Sequence, residues 1–162
     1  GIGLPLLAAM LAQRNHAPDA IMAYESGIIG SNPTRLPLSI ADPALVSGSL
    51  MITNFFDFFT MFVQNGNIDV GFVGGAQIDK FGNLNTSFIG DSENPKVRLP
   101  GSGGGNDIIT SCTKTIIATH HEKRRFVEKV DFITSPGYLN GNKDRENSGL
   151  IFGKIYFGRP QK

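Results

Sequence analysis

The chain of 162 residues predicts an α/β fold, layered, with a largely parallel β-sheet flanked by helices. Three observations lead there. The spacing of apolar residues switches repeatedly between helical and strand-like periods. Short apolar runs close in glycine turns. No fixed-period repeat or low-complexity linker marks an internal boundary. Because the length suits one domain able to bury roughly two-thirds of its unfolded surface, a single domain over 1–162 is expected.

Taken in order, "LPLLAAMLAQR" (4–14) suits a helix with Pro5 in the first turn, where its missing N–H is not needed. "AIMAY" (20–24) reads as a short buried strand delivering Glu25 at its end. Residues 45–66 read as mainly helical, stopping near Gly66, and strands follow at 68–75, 83–90, 115–120 and 129–135. The opening "GIGLPLLAAMLA" runs into helix with no earlier element to pack against, and "GLIFGKIYFGRPQK" alternates like a strand and then stops. We therefore expect a chain truncated at both ends.

Charge and cysteine content narrow the function. Fifteen Lys and Arg against 14 Asp and Glu leave a net charge of +1, with no general attraction to nucleic acid or an acidic membrane. Cys112 is the only cysteine, which excludes an internal disulfide and fits a reducing compartment. No Cys/His metal spacing is present, and the apolar opening lacks both a basic leader and spanning length, with Arg14 and His16 following at once. The expectation is a soluble, cytoplasmic chain without a bound metal.

In open α/β sheets ligands gather at the carboxyl edge. Three loops are expected there: the one carrying Glu25, "GGAQIDKFGNLN" (74–85) and "LPGSGGGND" (99–107). The last has four glycines in five positions but is not a P-loop, because no Gly-Lys-Ser/Thr follows. As a dinucleotide fingerprint it fails too, Asn106 standing where the third glycine belongs. It is either a tight turn or a loop whose unhindered N–H groups approach an anionic oxygen. Glu25 is either a solvated strand-end residue or a carboxylate desolvated by Tyr24, Gly27, Ile28 and Ile29, able to act as base or nucleophile.

The ordered segments "GIGLP", "APD", "YESG", "GGAQID" with "GN", "GSGGGND", "HEKRRFVEKVD" and "TSPGYL" resemble the beta subunits of family I coenzyme A transferases, most of all the glutaconate CoA-transferase type. The likeness covers residues 1 to about 140; the segment after Glu25 and the last dozen residues match less well, which puts glutaconate specificity in doubt. The resemblance implies that Glu25 is the nucleophile and that the backbone amides of Gly103 and Gly104 form an oxyanion hole. It also implies coenzyme A as substrate and covalent intermediate rather than resident cofactor, with a homologous alpha subunit, an acyl-CoA and a carboxylic acid as partners. Gln77, Ser26, Gly27 and Asn106 are placed as substrate-binding candidates, although the amides of Gln77, Asn83 and Asn85 would serve equally as turn caps. The basic "HEKRRF" run is read as solvated or structural, with an ion pair to Glu122 or Glu128 and a phosphate contact left open. Phe55, Phe56, Phe58 and Phe59 fit core, subunit contact or an acyl-pocket wall. Two alternatives stand beside transfer: a CoA-thioester or ring-opening hydrolase of the same fold, and a noncatalytic partner chain.

Overall fold

The computed structural model describes residues 3–150 and 154–156, so most of the alternating C-terminal segment lies outside the described residues. The chain forms two compact units, Gly1–Phe62 and Val63–Lys162.

The first unit begins with α1 (Leu4–Asn15), which Pro5 opens and Arg14 closes as expected. Strands β1 (Ala23–Tyr24) and β2 (Ile28–Ile29) pair antiparallel, and β3 (Met51–Ile52) adds antiparallel to β2. Leu6, Tyr24, Ile28 and Leu45 form the core, with Met10 and Met22 packed against it. Between β2 and β3 the chain is irregular apart from a 3₁₀ turn at Pro43–Leu45. Asp42 caps that turn, accepting from the Ala44 N–H at 2.9 Å while Arg35 grips both its oxygens at 2.8 Å.

The expected long helix at 45–66 is therefore shorter than its apolar pattern suggests. Residues 51–52 are strand, and helix α2 (Phe55–Asp57) starts only after Asn54, whose side chain accepts from the Asp57 N–H. It continues as a π-helix over Phe58–Val63. Asn54 is the physical reason for that start: its side chain satisfies an orphan N–H at the helix beginning, which the apolar residues before it do not do.

In the second unit β4 (Val70–Val73) and β9 (Lys114–Ile117) pair parallel, and β10 (Lys154–Tyr156) adds parallel to β9, giving the order β10-β9-β4. Helix α3 (Gly105–Ser111) is the crossover between β4 and β9. It lies close on β4 because Gly71 has no side chain: a Cβ there would strike Ile108 and come within 2.9 Å of the Cys112 sulfur. Val73, Ile78, Leu84, Ile109, Ile117 and Ile155 form the core. Among the described residues parallel pairing is otherwise limited to an isolated bridge between Ile78 and Phe126. Strands β5 (Gln77–Ile78) and β6 (Leu84–Asn85) make one antiparallel pair, and β7 (Phe88–Gly90) and β8 (Pro95–Arg98) another.

Two expectations change in detail. The strand expected over 83–90 is divided between β6 and β7. Residues 129–135 are not a regular strand; their one ladder contact with the β5–β6 pair among the described residues is an isolated bridge at Leu84 and Ser135, and side-chain hydrogen bonds supply the rest. Gln77 explains part of that, because its side-chain Oε1, not a neighbouring backbone carbonyl, accepts the Asp131 N–H at 3.0 Å. A further short helix, α4 (Asn142–Asn147), follows.

Candidate active site

Glu25, Ser26 and Gly27 are the three residues that turn β1 into β2. They form the tip of a hairpin, whereas the sequence suggests the end of a parallel strand. The Gly27 N–H donates to the Tyr24 carbonyl at 2.8 Å, and Gly27 has φ +90, the left-handed residue that closes a three-residue hairpin loop. Its carbonyl accepts from the Thr53 N–H at 2.8 Å, and a Cβ at Gly27 would collide with the Thr53 carbonyl. Both the backbone angle and the close approach of the segment leaving β3 therefore require glycine. The result is a rigid platform under Glu25.

The Glu25 side chain is half-buried, and among the described residues it makes no hydrogen bond or ion pair. This separates it from Asp42 in the same unit, whose carboxylate is engaged by Arg35 and by the Leu38 and Ala44 N–H groups. The Ser26 hydroxyl is buried and has no hydrogen-bond partner within the described residues.

In the second unit the glycine loop leads into α3. Gly103 has φ +50 and Gly104 has φ −80 and ψ 1, a left-handed residue followed by a right-handed one, which is the backbone pattern that turns successive N–H groups toward a common anion. Neither amide donates a hydrogen bond among the described residues, whereas the next one, Gly105 N–H, returns to the Ser102 carbonyl at 2.9 Å. Gly104 is buried, while Gly103 and Asn106 are exposed. At its start the loop is anchored by the Gly101 N–H on the Thr86 carbonyl at 2.8 Å.

Gln77 is buried and spent within the chain. Its Nε2 donates to Asp131 at 3.1 Å, and its Oε1 accepts from Asn85 Nδ2 at 2.8 Å. Asn83 holds the turn that begins at Asp79: its Nδ2 donates to Asp79 at 2.9 Å, and its Oδ1 accepts the Gly137 and Leu139 N–H groups at 2.8 and 3.0 Å. The "GGAQID", "GN" and "TSPGYL" segments are thus parts of one structural knot. In the "HEKRRF" run Glu122 pairs with Arg124 at 2.6 Å, and that guanidinium holds its carboxyl below the usual carboxylate range. Arg125 donates to the Gly75 carbonyl at 3.1 Å. Among the described residues no group of three His, Cys, Asp or Glu side chains could hold a metal, and no helix is long and apolar enough to cross a membrane.

The coenzyme A transferase family profile matches residues 1–155. The chain belongs to that family. It is 47% identical over 150 residues to one of the subunits of the 3-oxoadipate CoA-transferase of Pseudomonas knackmussii, covering 93% of this chain and 58% of that protein. It is 42% identical over 154 residues to the corresponding chain of the glutaconate CoA-transferase of Acidaminococcus fermentans, with the same coverage. The crystal structure of the Acidaminococcus fermentans glutaconate coenzyme A-transferase superposes with a TM-score of 0.87 at 38% identity, covering 97% of this chain and 63% of that one. The chain thus spans a little under two-thirds of the length of these relatives. One residue that no sequence pattern singled out is Arg145, which is buried at 3% exposure within the polar stretch "NKDREN". A lone arginine in such a stretch gives no signal of burial.

Proposed function

We propose that this chain is the beta-type half of a two-subunit CoA-transferase and that Glu25 is its covalent nucleophile. The observation that carries the proposal is a carboxylate on a tight glycine-closed hairpin, unspent on any partner among the described residues, in a chain of this family. Carboxylates serving the fold are gripped, as Asp42 is; one left free on a rigid support is available for chemistry.

The Glu25 carboxylate attacks the thioester carbonyl of an acyl-CoA, forming a mixed anhydride and expelling CoA thiolate. The thiolate then attacks the glutamyl carbonyl, releasing the first carboxylate and leaving a glutamyl-CoA thioester. A second carboxylate attacks that thioester and the two steps reverse, so no water and no redox equivalent is consumed. Each tetrahedral intermediate carries an oxyanion. The Gly103 and Gly104 amides are the proposed donors, a role in which losing one donor costs about 3 to 4 kcal/mol. Ser26, Gly27 and Asn106 are the proposed substrate contacts, and Gln77, spent on Asp131 and Asn85, serves by holding β5 and β6 in place. The names of the two relatives above, for 3-oxoadipate and glutaconate, support a dicarboxylic acid as the class of acid.

The test is chemical. The chain co-expressed with its alpha-type partner is incubated with acyl-CoA, reduced with borohydride and mapped by peptide mass spectrometry. Reduction to the alcohol at Glu25, dependent on acyl-CoA, is expected. Turnover with no adduct at Glu25 would favour the hydrolase alternative, and neither turnover nor adduct the noncatalytic one.

A further inference from the structure

Arg145 ties three segments of the second unit together from inside it. Its guanidinium is buried and donates through Nη1 to the Pro136 carbonyl at 3.1 Å and to the Gly137 carbonyl. Through Nη2 it donates to the Ile109 carbonyl at 3.1 Å, inside the last turns of α3. The 136–138 segment is itself immobilised: Asn83 binds the Gly137 N–H, the Phe81 carbonyl accepts from the Tyr138 N–H at 2.9 Å, and a Cβ on Gly137 would run into the Gly82 backbone. The guanidinium also lies over the Tyr138 ring, 5.9 Å from its centroid.

Placing a cation in that position is expensive unless its geometry is used. A planar fork can hold carbonyls on two separate segments at once, which a lysine ammonium on a flexible stem does not reproduce. Helix α3 has only seven residues, and its first residue directly follows Gly104. A shift of its C-terminal carbonyls is therefore carried along two turns to the loop that precedes it.

We propose that Arg145 is a positioning residue that sets the Gly103–Gly104 loop by locking α3 to the 136–138 segment. The catalytic consequence rests on the oxyanion role given to that loop above. Arg145→Lys, made in the chain assembled with its partner, is compared with the parent by amide hydrogen exchange and by transferase kinetics. Exchange across 101–106 should rise at least about fivefold while β4 and β9 stay as protected as before. The value of kcat should fall at least about tenfold, with KM for acyl-CoA within about twofold. Combined with Gly104→Ala, the loss should be smaller than the product of the two single losses, because both act on one loop.

Unchanged exchange at 101–106, or looser exchange with normal kcat while Gly104→Ala is impaired, overturns the proposal. If Gly104→Ala itself keeps full kcat, the oxyanion role falls, and exchange at 101–106 alone then decides whether Arg145 positions the loop. Should Arg145→Lys fail to fold, Arg145→Gln keeps a buried donor for one of the two segments and answers the same question with the same readouts.

Discussion

At the scale of single residues, two carboxylates of the first unit show how local geometry assigns different work to the same chemistry. Asp42 is buried, held by a two-pronged guanidinium and two backbone N–H groups, and these, Arg35 first, hold its carboxyl well below the usual range. A depressed carboxylate pKa stabilises the folded state above the unfolded value, about 4, and that stabilisation is lost as pH falls through the folded value. Asp42→Asn should therefore lower the urea midpoint most at pH 7, and its gap from the parent should narrow steadily below about pH 4. Urea titrations at a series of pH values check this; a gap that does not change with pH would mean the ion pair contributes nothing. Glu25 has no such engagement among the described residues, yet its hairpin is no less constrained. Gly27→Ala puts a side chain at φ +90 and against the Thr53 carbonyl, so a loss of roughly 2 kcal/mol or more is expected. Transferase activity should fall further than stability, because the hairpin tip must open to relieve the clash. Thermal unfolding followed beside kcat separates the two effects.

At the scale of elements, the glycine loop and α3 allow turn and ligand roles to be told apart. Gly104 has φ −80, which alanine adopts without strain, whereas Gly103 at φ +50 does not favour a side chain. A loop that only turned the chain would tolerate Gly104→Ala and lose about 1 kcal/mol or more of stability with Gly103→Ala. With the proposed oxyanion contact, Gly104→Ala should keep its melting temperature and lose kcat at least about tenfold, equivalent to about 1.4 kcal/mol of transition-state stabilisation. Steady-state kinetics on a variant with unchanged melting temperature settles the matter. Cys112, at the end of the same helix, is buried and its thiol is pushed up to about 11 by that burial, so it should resist a thiol reagent until the protein unfolds. Labelling kinetics with and without denaturant measure that directly.

These elements also show what could be seen in the sequence and why the rest could not. Helix α1, strand β4 and strand β9 were legible because each combines an unbroken apolar pattern with a clear start or stop. The Glu25 hairpin was not, because strands of two residues carry no period and a carboxylate after an apolar run looks the same at a strand end and at a turn. Residues 129–135 alternate as a strand does, but the pairing partner for Asp131 is a side-chain oxygen of Gln77, and no pattern in a single sequence reports that. The motifs at Gln77, Asn83 and Gly137 could be recognised, whereas their service to one structural knot required coordinates.

At the scale of the whole molecule, the first unit leaves a set of large apolar side chains in solvent. Leu38, Leu50, Ile52, Phe55, Phe56 and Met61 are each more than half exposed, and β3 is one of the two outer strands of its sheet. Soluble monomers seldom leave so much apolar surface uncovered, and outer strands are pairing hazards unless something lies over them. The relatives are themselves named as enzyme subunits, in line with the alpha-type partner proposed above. Co-expression with that chain should therefore raise soluble yield and be required for transfer, and a charge on the apolar set, such as Phe56→Asp, should impair assembly while leaving the second unit folded. Size-exclusion chromatography and transferase assays of the single chain, the pair and the Phe56→Asp pair make the comparison. A single chain that turns over acyl-CoA at the full rate of the pair would refute the requirement, and a Phe56→Asp pair that assembles normally would remove this surface from the interface.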